Sequence, residues 1–114
     1  MSYWAVTREA GPGWTNGNGT LEQPGVGDHA AFMNALAEDG FVLFAGPLAG
    51  TEHRRLRALL IINAESEADI QHRLAEDPWT RSKQLRIKTI EPWNLFIGAE
   101  RLAAELATSG GRGV

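Results

Sequence analysis

Two short runs in this chain, Phe41-Val42-Leu43-Phe44 and Leu59-Leu60-Ile61-Ile62, are apolar at every position. Successive side chains of a strand point to opposite faces, so a sheet built from these runs carries large apolar groups on both sides. Both faces then need cover, and the rest of the chain must be read for what supplies it.

Helices are available for one face. Asp28 can cap a helix that runs to Asp39, where Gly40 offers a left-handed stop, and Met33, Leu36 and Ala37 share its inward stripe. Ser66, with Asp69 three residues on, resembles a capping box and starts a second helix reaching about Glu76; Ile70 and Leu74 lie one turn apart, and Asp77-Pro78 stops it. Around them the strands read as Tyr3 to Thr7, Phe41 to Ala45 closed by Gly46-Pro47, Arg55 to Ile62, and an alternating segment from Leu85 through Thr89 that ends before Pro92. The middle two form a hairpin.

The order is strand, helix, strand, strand, helix, strand: the split βαβ pattern of a ferredoxin-like α+β fold with a four-stranded antiparallel sheet. At 114 residues the chain has room for one core. Residues 1–95 make that domain, and 96–114 add a short helix over 96–107 and a flexible tail. This wiring gathers the helix start at Asp28-His29, the turn at Gly46-Pro47 and the corner at Asp77-Pro78 at one end of the sheet.

Two helices leave the second sheet face uncovered. Each large apolar side chain left in water forfeits roughly 1.5–3 kcal/mol, so about four of them rival a domain's whole net stability of roughly 5–15 kcal/mol. The expected cover is a second copy of the chain, packed sheet to sheet in a homodimer.

Composition removes several classes of function. The net charge of −3 offers no broad cationic surface for phosphates, so nucleic acid is not an expected partner. Zero cysteines exclude disulfides, thiolate zinc sites and cysteine nucleophiles. No stretch of about 18 apolar residues could span a bilayer, and the apolar run within Met1–Thr7 is too short for a secretory signal. The expectation is a cytoplasmic protein without membrane contact, and Asn18-Gly19-Thr20 is then a chance sequon. The glycine-rich stretch from Gly11 to Gly19 lacks the Lys-Ser/Thr ending of a phosphate loop, and the histidines at 29, 53 and 72 do not fall at metal-ligand spacing. Neither cofactor nor metal is expected. The basic run His53-Arg54-Arg55-Leu56-Arg57 reads as a solvated hairpin face, although it could attract an anionic substrate.

What remains for chemistry is small. His29 lies four residues before Met33 and seven before Leu36, on the inward stripe and in the first helical turn. The positive helix end and burial both favour a neutral ring able to accept a proton, as a general base must; the plainer alternative is a histidine that packs and bonds a nearby carbonyl. Asp77 either opens a turn before Pro78 or reaches the pocket and orients His29; a carboxylate partner would favour the imidazolium and oppose the helix end. The segment from Arg8 to Gly27 is long for an irregular loop in a small domain and reads as a candidate lid. Within it Trp14 either packs the loop or closes over an apolar ligand, whereas Trp79 reads as core.

The spacing of these residues resembles that of the YciI-like (YCII-related) family. The carriers are His29 in His-Ala-Ala-Phe-Met-Asn-Ala-Leu, the strand Phe41-Val42-Leu43-Phe44-Ala45 leading into Gly46-Pro47, and Asp77-Pro78-Trp79, over about residues 1–95. The resemblance implies a dimeric fold of the dimeric α/β-barrel type, and a His-Asp active-site pair carried here onto His29 and Asp77. Gly46 and Pro47 would shape the pocket wall; apart from the resemblance, Pro78, Trp79 and Trp14 are candidate substrate contacts from their own positions. A related dehydrochlorinase acts on a chlorinated hydroxyquinol, so the resemblance points to cofactor-independent proton transfer on a small molecule, by elimination or isomerisation. A non-catalytic ligand-binding or scaffold module is the alternative from the residues themselves.

Overall fold

The computed structural model describes residues 2–102 and residue 104. Its elements run β1 (Tyr3–Ala10), α1 (Val26–Glu38), β2 (Val42–Pro47), β3 (Arg57–Asn63), α2 (Glu67–Leu74), α3 (Pro78–Arg81) and β4 (Leu85–Pro92), with single 3-10 turns at Thr20–Glu22 and Thr51–His53. The four strands form one sheet in the order β2-β3-β1-β4, and every neighbouring pair is antiparallel. This is the expected α+β, ferredoxin-like arrangement.

Register decides which side chains meet. Val6 lies opposite Leu60 and Ile90, and Trp4 and Val42 lie opposite Ile62, which puts these residues on one face. There Val6, Val42, Leu60 and Ile62 pack with Leu36 of α1 and Ile70 and Leu74 of α2 into the main core. A smaller core of Ala10, Trp14, Leu56, Trp79 and Leu85 forms at the end of the sheet where α1 begins.

The helix ends follow local chemistry. Gly25, at φ 76°, caps α1 in the left-handed conformation that glycine adopts without a Cβ penalty, so the helix begins ahead of the expected Asp28 cap. At the other end Gly40 N–H bonds Ala37 O and Phe41 N–H bonds Leu36 O, the paired closure of a Schellman motif. The Ser66 hydroxyl accepts from Asp69 N at 3.1 Å, as its spacing predicts. Asp77 does more than stop α2: its carboxylate accepts from Trp79 N and caps α3.

Three strands run longer than expected, β4 among them, because Ile90, Glu91 and Pro92 still lie opposite Val6, Ala5 and Trp4 of β1. β1 continues past Thr7 because Arg8, Glu9 and Ala10 still pair with β3 or β4, after a bulge between Thr7 and Arg8 on the β4 side. β2 continues through Gly46 and Pro47, which an edge strand tolerates because the missing proline N–H can face outward.

The second sheet face carries Ala5, Thr7, Phe44, Leu59, Ile61 and Thr89. Phe44 is 59% exposed and Leu59 38%. The segment after β4 covers part of this face: Trp93, Leu95 and Leu102 enclose a cavity of about 240 Å³ against Phe44 and Ile61. Residues 99–102 and 104 are helical; the rest of the helix and tail expected after residue 102 lies outside the described residues. Among the described residues, no helix is long and apolar enough to cross a membrane.

Candidate active site

The alternation that turns Trp4 and Val6 toward the helices continues to Arg8, so β1 carries a guanidinium onto the helix-covered face. Arg8 is 2% exposed. Its Nη1 donates to Asp77 Oδ2 at 2.9 Å and its Nη2 to the Thr80 hydroxyl at 2.7 Å. That hydroxyl in turn donates to Leu74 O, so the end of α2 and the start of α3 are tied to β1 through one side chain.

Asp77 is fully buried. Burial alone would push its carboxyl up, but the His29 hydrogen bond, the Arg8 charge and the Trp79 amide outweigh it and hold the carboxyl below its ordinary value. Burial lowers Arg8 from its ordinary value, with Asp77 opposing that shift. The pair therefore stands as carboxylate and guanidinium, each the other's compensation where both side chains are buried.

α1 supplies the third member. His29 Nδ1 lies 3.0 Å from Asp77 Oδ1 and 2.9 Å from Oδ2. An ionised carboxylate only accepts, so Nδ1 carries the proton, and in the neutral ring Nε2 keeps its lone pair. Trp79 stacks on the imidazole, with ring centres 4.0 Å apart and planes 7° from parallel. The indole is itself held by Nε1 donating to Pro24 O at 2.8 Å. One neighbour thus sets the rotation of the imidazole and the other its plane.

His29 lines a cavity of about 220 Å³ together with Arg8, Met33, Ala45, Gly46, Pro47, Leu56, Ala58, Leu60 and Leu85, and with Thr20 and Glu52 from the two 3-10 turns. Of the residues singled out from sequence, His29, Gly46 and Pro47 stand on this wall, and Asp77 and Trp79 lie directly behind His29. Pro78 opens α3 and does not line the cavity.

Trp14, whose sequence allows either loop packing or closure over a ligand, is 4% exposed and meets the Trp79 ring edge-on, with centroids 5.6 Å apart. The glycine-rich segment around it is tied by hydrogen bonds within itself and to the turn before β4. Gln23 bonds Thr15 N, Thr15 O and Asn18 O, and Gln84 bonds Pro24 O. At Gly13 a Cβ would stand 2.2 Å from Ser82 O, so this glycine serves close backbone contact.

The sequence reading missed Arg8, Thr20 and Glu52. For Arg8 a signal existed: it continues the Trp4-Val6 alternation and is therefore an inward-facing charge, which needs a partner. Thr20 and Glu52 sit in single 3-10 turns of irregular segments, where no periodicity marks them.

The architecture defines an antiparallel α+β protein with a buried Arg-Asp-His constellation on the wall of a small apolar cavity. Among solved structures it is similar to 5-chloro-2-hydroxyhydroquinone dehydrochlorinase from Burkholderia phenoliruptrix AC1100, determined in complex with 2,5-dihydroxybenzoquinone, with a TM-score of 0.58 and 22% sequence identity over 82% of this chain and 95% of that one. The likeness establishes a shared fold with an enzyme. No family model matches the sequence, and no curated protein does.

Proposed function

We propose that the chain is a small-molecule enzyme of the YciI-like family that moves a proton between substrate atoms, in an elimination or an isomerisation. The observation that carries this reading is the His29-Asp77 pair at the wall of an apolar cavity. His29 is the base: Nε2 takes a proton from a carbon beside a carbonyl or from a phenolic hydroxyl, and the released electron pair forms the new double bond. In elimination the far end of the conjugated system expels its leaving group, which departs as an anion. In isomerisation the imidazolium returns the proton to another carbon. Asp77 holds the ring and stabilises the imidazolium while the proton is aboard.

The fold shared with a dehydrochlorinase supports a lyase or isomerase reading over a scaffold. The test is turnover of a panel of halogenated dihydroxyphenols and lactones, followed by halide release and by deuterium uptake from heavy water. His29→Ala should lower the rate by about 10²–10⁴-fold. Binding of these compounds with neither halide release nor deuterium uptake would establish a binding module instead.

The same reading includes a homodimer through the second sheet face. Phe44 and Leu59 stay exposed on it, an apolar patch that a two-fold partner would bury. A monomer mass independent of concentration in analytical ultracentrifugation would dispose of the dimer.

A further inference from the structure

Buried polar atoms in a folded chain are nearly always hydrogen-bonded, so each exception calls for an explanation. Among the described residues, Arg8 Nε, Trp14 Nε1, Thr20 Oγ1 and Glu52 Oε1 are buried without a partner. Arg8, Thr20 and Glu52 all line the His29 cavity, and Trp14 does not.

Charge narrows what can answer them. Arg8 is matched by Asp77, whereas no ion pair among the described residues engages Glu52. With Asp77 directly behind the wall, the site has one carboxylate in surplus, and an anionic ligand entering the cavity would meet that charge. A ligand hydroxyl would instead donate to the carboxylate in a charge-assisted bond. Thr20 can donate or accept, and Arg8 Nε can only donate. The complementary ligand carries at least one hydroxyl donor and a second oxygen as acceptor. Its body is apolar, to suit Met33, Pro47, Leu56 and Leu60. At about 220 Å³ the space is below the roughly 300–1,000 Å³ of drug-sized sites, which limits that body to about one ring.

Glu52 is also held in place. Its turn is fixed by the Thr51 hydroxyl, which donates to Leu48 O at 2.7 Å and lies 3.0 Å from Arg57 O. The neighbouring turn is packed so closely that a Cβ on Gly19 would lie 2.8 Å from Glu52 O. Thr20 and Glu52 are thus presented by two turns in backbone contact rather than by a free surface loop.

We propose that Glu52, with Thr20 beside it, is the specificity determinant of this cavity, accepting a hydroxyl of a neutral, one-ring, multiply hydroxylated ligand and turning away carboxylates. The inference rests on the same cavity being the ligand site of the proposed enzyme. Its test is calorimetric binding of hydroquinone, phenol and benzoate to the wild-type chain and to the variants Glu52→Gln and Glu52→Leu. The wild type should bind hydroquinone about tenfold more tightly than phenol, and benzoate more weakly than either. Glu52→Leu should erase the advantage of the second hydroxyl. Glu52→Gln, which keeps the shape and an acceptor but not the charge, should admit benzoate about as well as phenol. Wild-type protein that binds no hydroquinone, or Glu52 variants that preserve all three affinity ratios, would overturn the proposal. His29→Ala separates it from the catalytic reading. Loss of turnover with the hydroxyl preference intact supports both. A preference that depends on Glu52 in a wild-type chain without turnover upholds the specificity role and removes the catalytic one.

Discussion

The imidazole of His29 lies parallel to the indole of Trp79, 4.0 Å away and 7° from coplanar orientation. Because Trp79 is anchored through Nε1 to Pro24 O and backed by Trp14, the stack is a fixed wall rather than a passing contact. Trp79→Phe keeps an aromatic face against His29 but loses the Nε1 bond, and should cost about 1–2 kcal/mol of stability while retaining most of the activity. Trp79→Leu removes the stack and part of the second core. It should cost about 3 kcal/mol or more, with a larger loss in kcat than in KM. Urea denaturation and steady-state kinetics on the two variants check the order.

The ion pair between Arg8 and Asp77 is buried on both sides, so removing one partner strands the other. Arg8→Met should destabilise by about 3–5 kcal/mol, well above a typical surface substitution. The double variant Arg8→Met with Asp77→Asn should cost less than the sum of the two single changes, because no uncompensated charge is left behind. Additive costs in a double-mutant cycle would contradict the pairing.

Acid should find this pair as well. The Asp77 carboxyl is held below its ordinary value in the folded chain, so the unfolded chain binds its proton more readily. The stability this group contributes is fully present above the ordinary aspartate value of about 3.9 and is lost as pH falls through the depressed folded value. Wild-type stability should therefore fall on acidification below about pH 4 more steeply than that of Asp77→Asn, which is less stable at neutrality but lacks the titrating group. Denaturant midpoints taken from pH 6 down to the acid limit measure the difference in slope.

Much of this was legible in the order and period of the apolar residues. Phe41–Phe44 and Leu59–Ile62 announced a sheet with apolar groups on both faces, and Leu36, Ile70 and Leu74 announced the helices that cover one of them. The pairing of His29 with Asp77 was legible too, because ferredoxin-like wiring brings the start of α1 and the end of α2 to one pole. What escaped was whatever depended on a distant partner. Arg8 and Glu9 look like the start of a loop until β3 and β4 are seen to pair with them, and the partner of Arg8 lies 69 residues away. Trp14 reads equally as a lid or as packing, and only the position of Trp79 decides between them. The cap of α1 was misplaced because Gly25 closes it by backbone conformation, leaving no side-chain signature.

Two glycines give opposite expectations for the same substitution. At Gly13 a Cβ would lie 2.2 Å from Ser82 O and 2.9 Å from the carbonyl carbon of Lys83; both are backbone atoms and cannot swing aside. Gly13→Ala must push the loop off the turn before β4. That loop leads to Thr20 at the cavity and to the Pro24 carbonyl that anchors Trp79. The variant should lose about 1–3 kcal/mol, the cost of overpacking, and should also weaken ligand binding. At Gly27, inside α1, a Cβ would meet nothing within 4 Å, and the helical backbone suits alanine. Gly27→Ala should gain about 0.4–1 kcal/mol by restricting the unfolded chain, with binding unchanged. Thermal melts of the two variants should move in opposite directions, and a Gly13→Ala protein as stable as wild type would mean that the loop does not pack against residues 82–84.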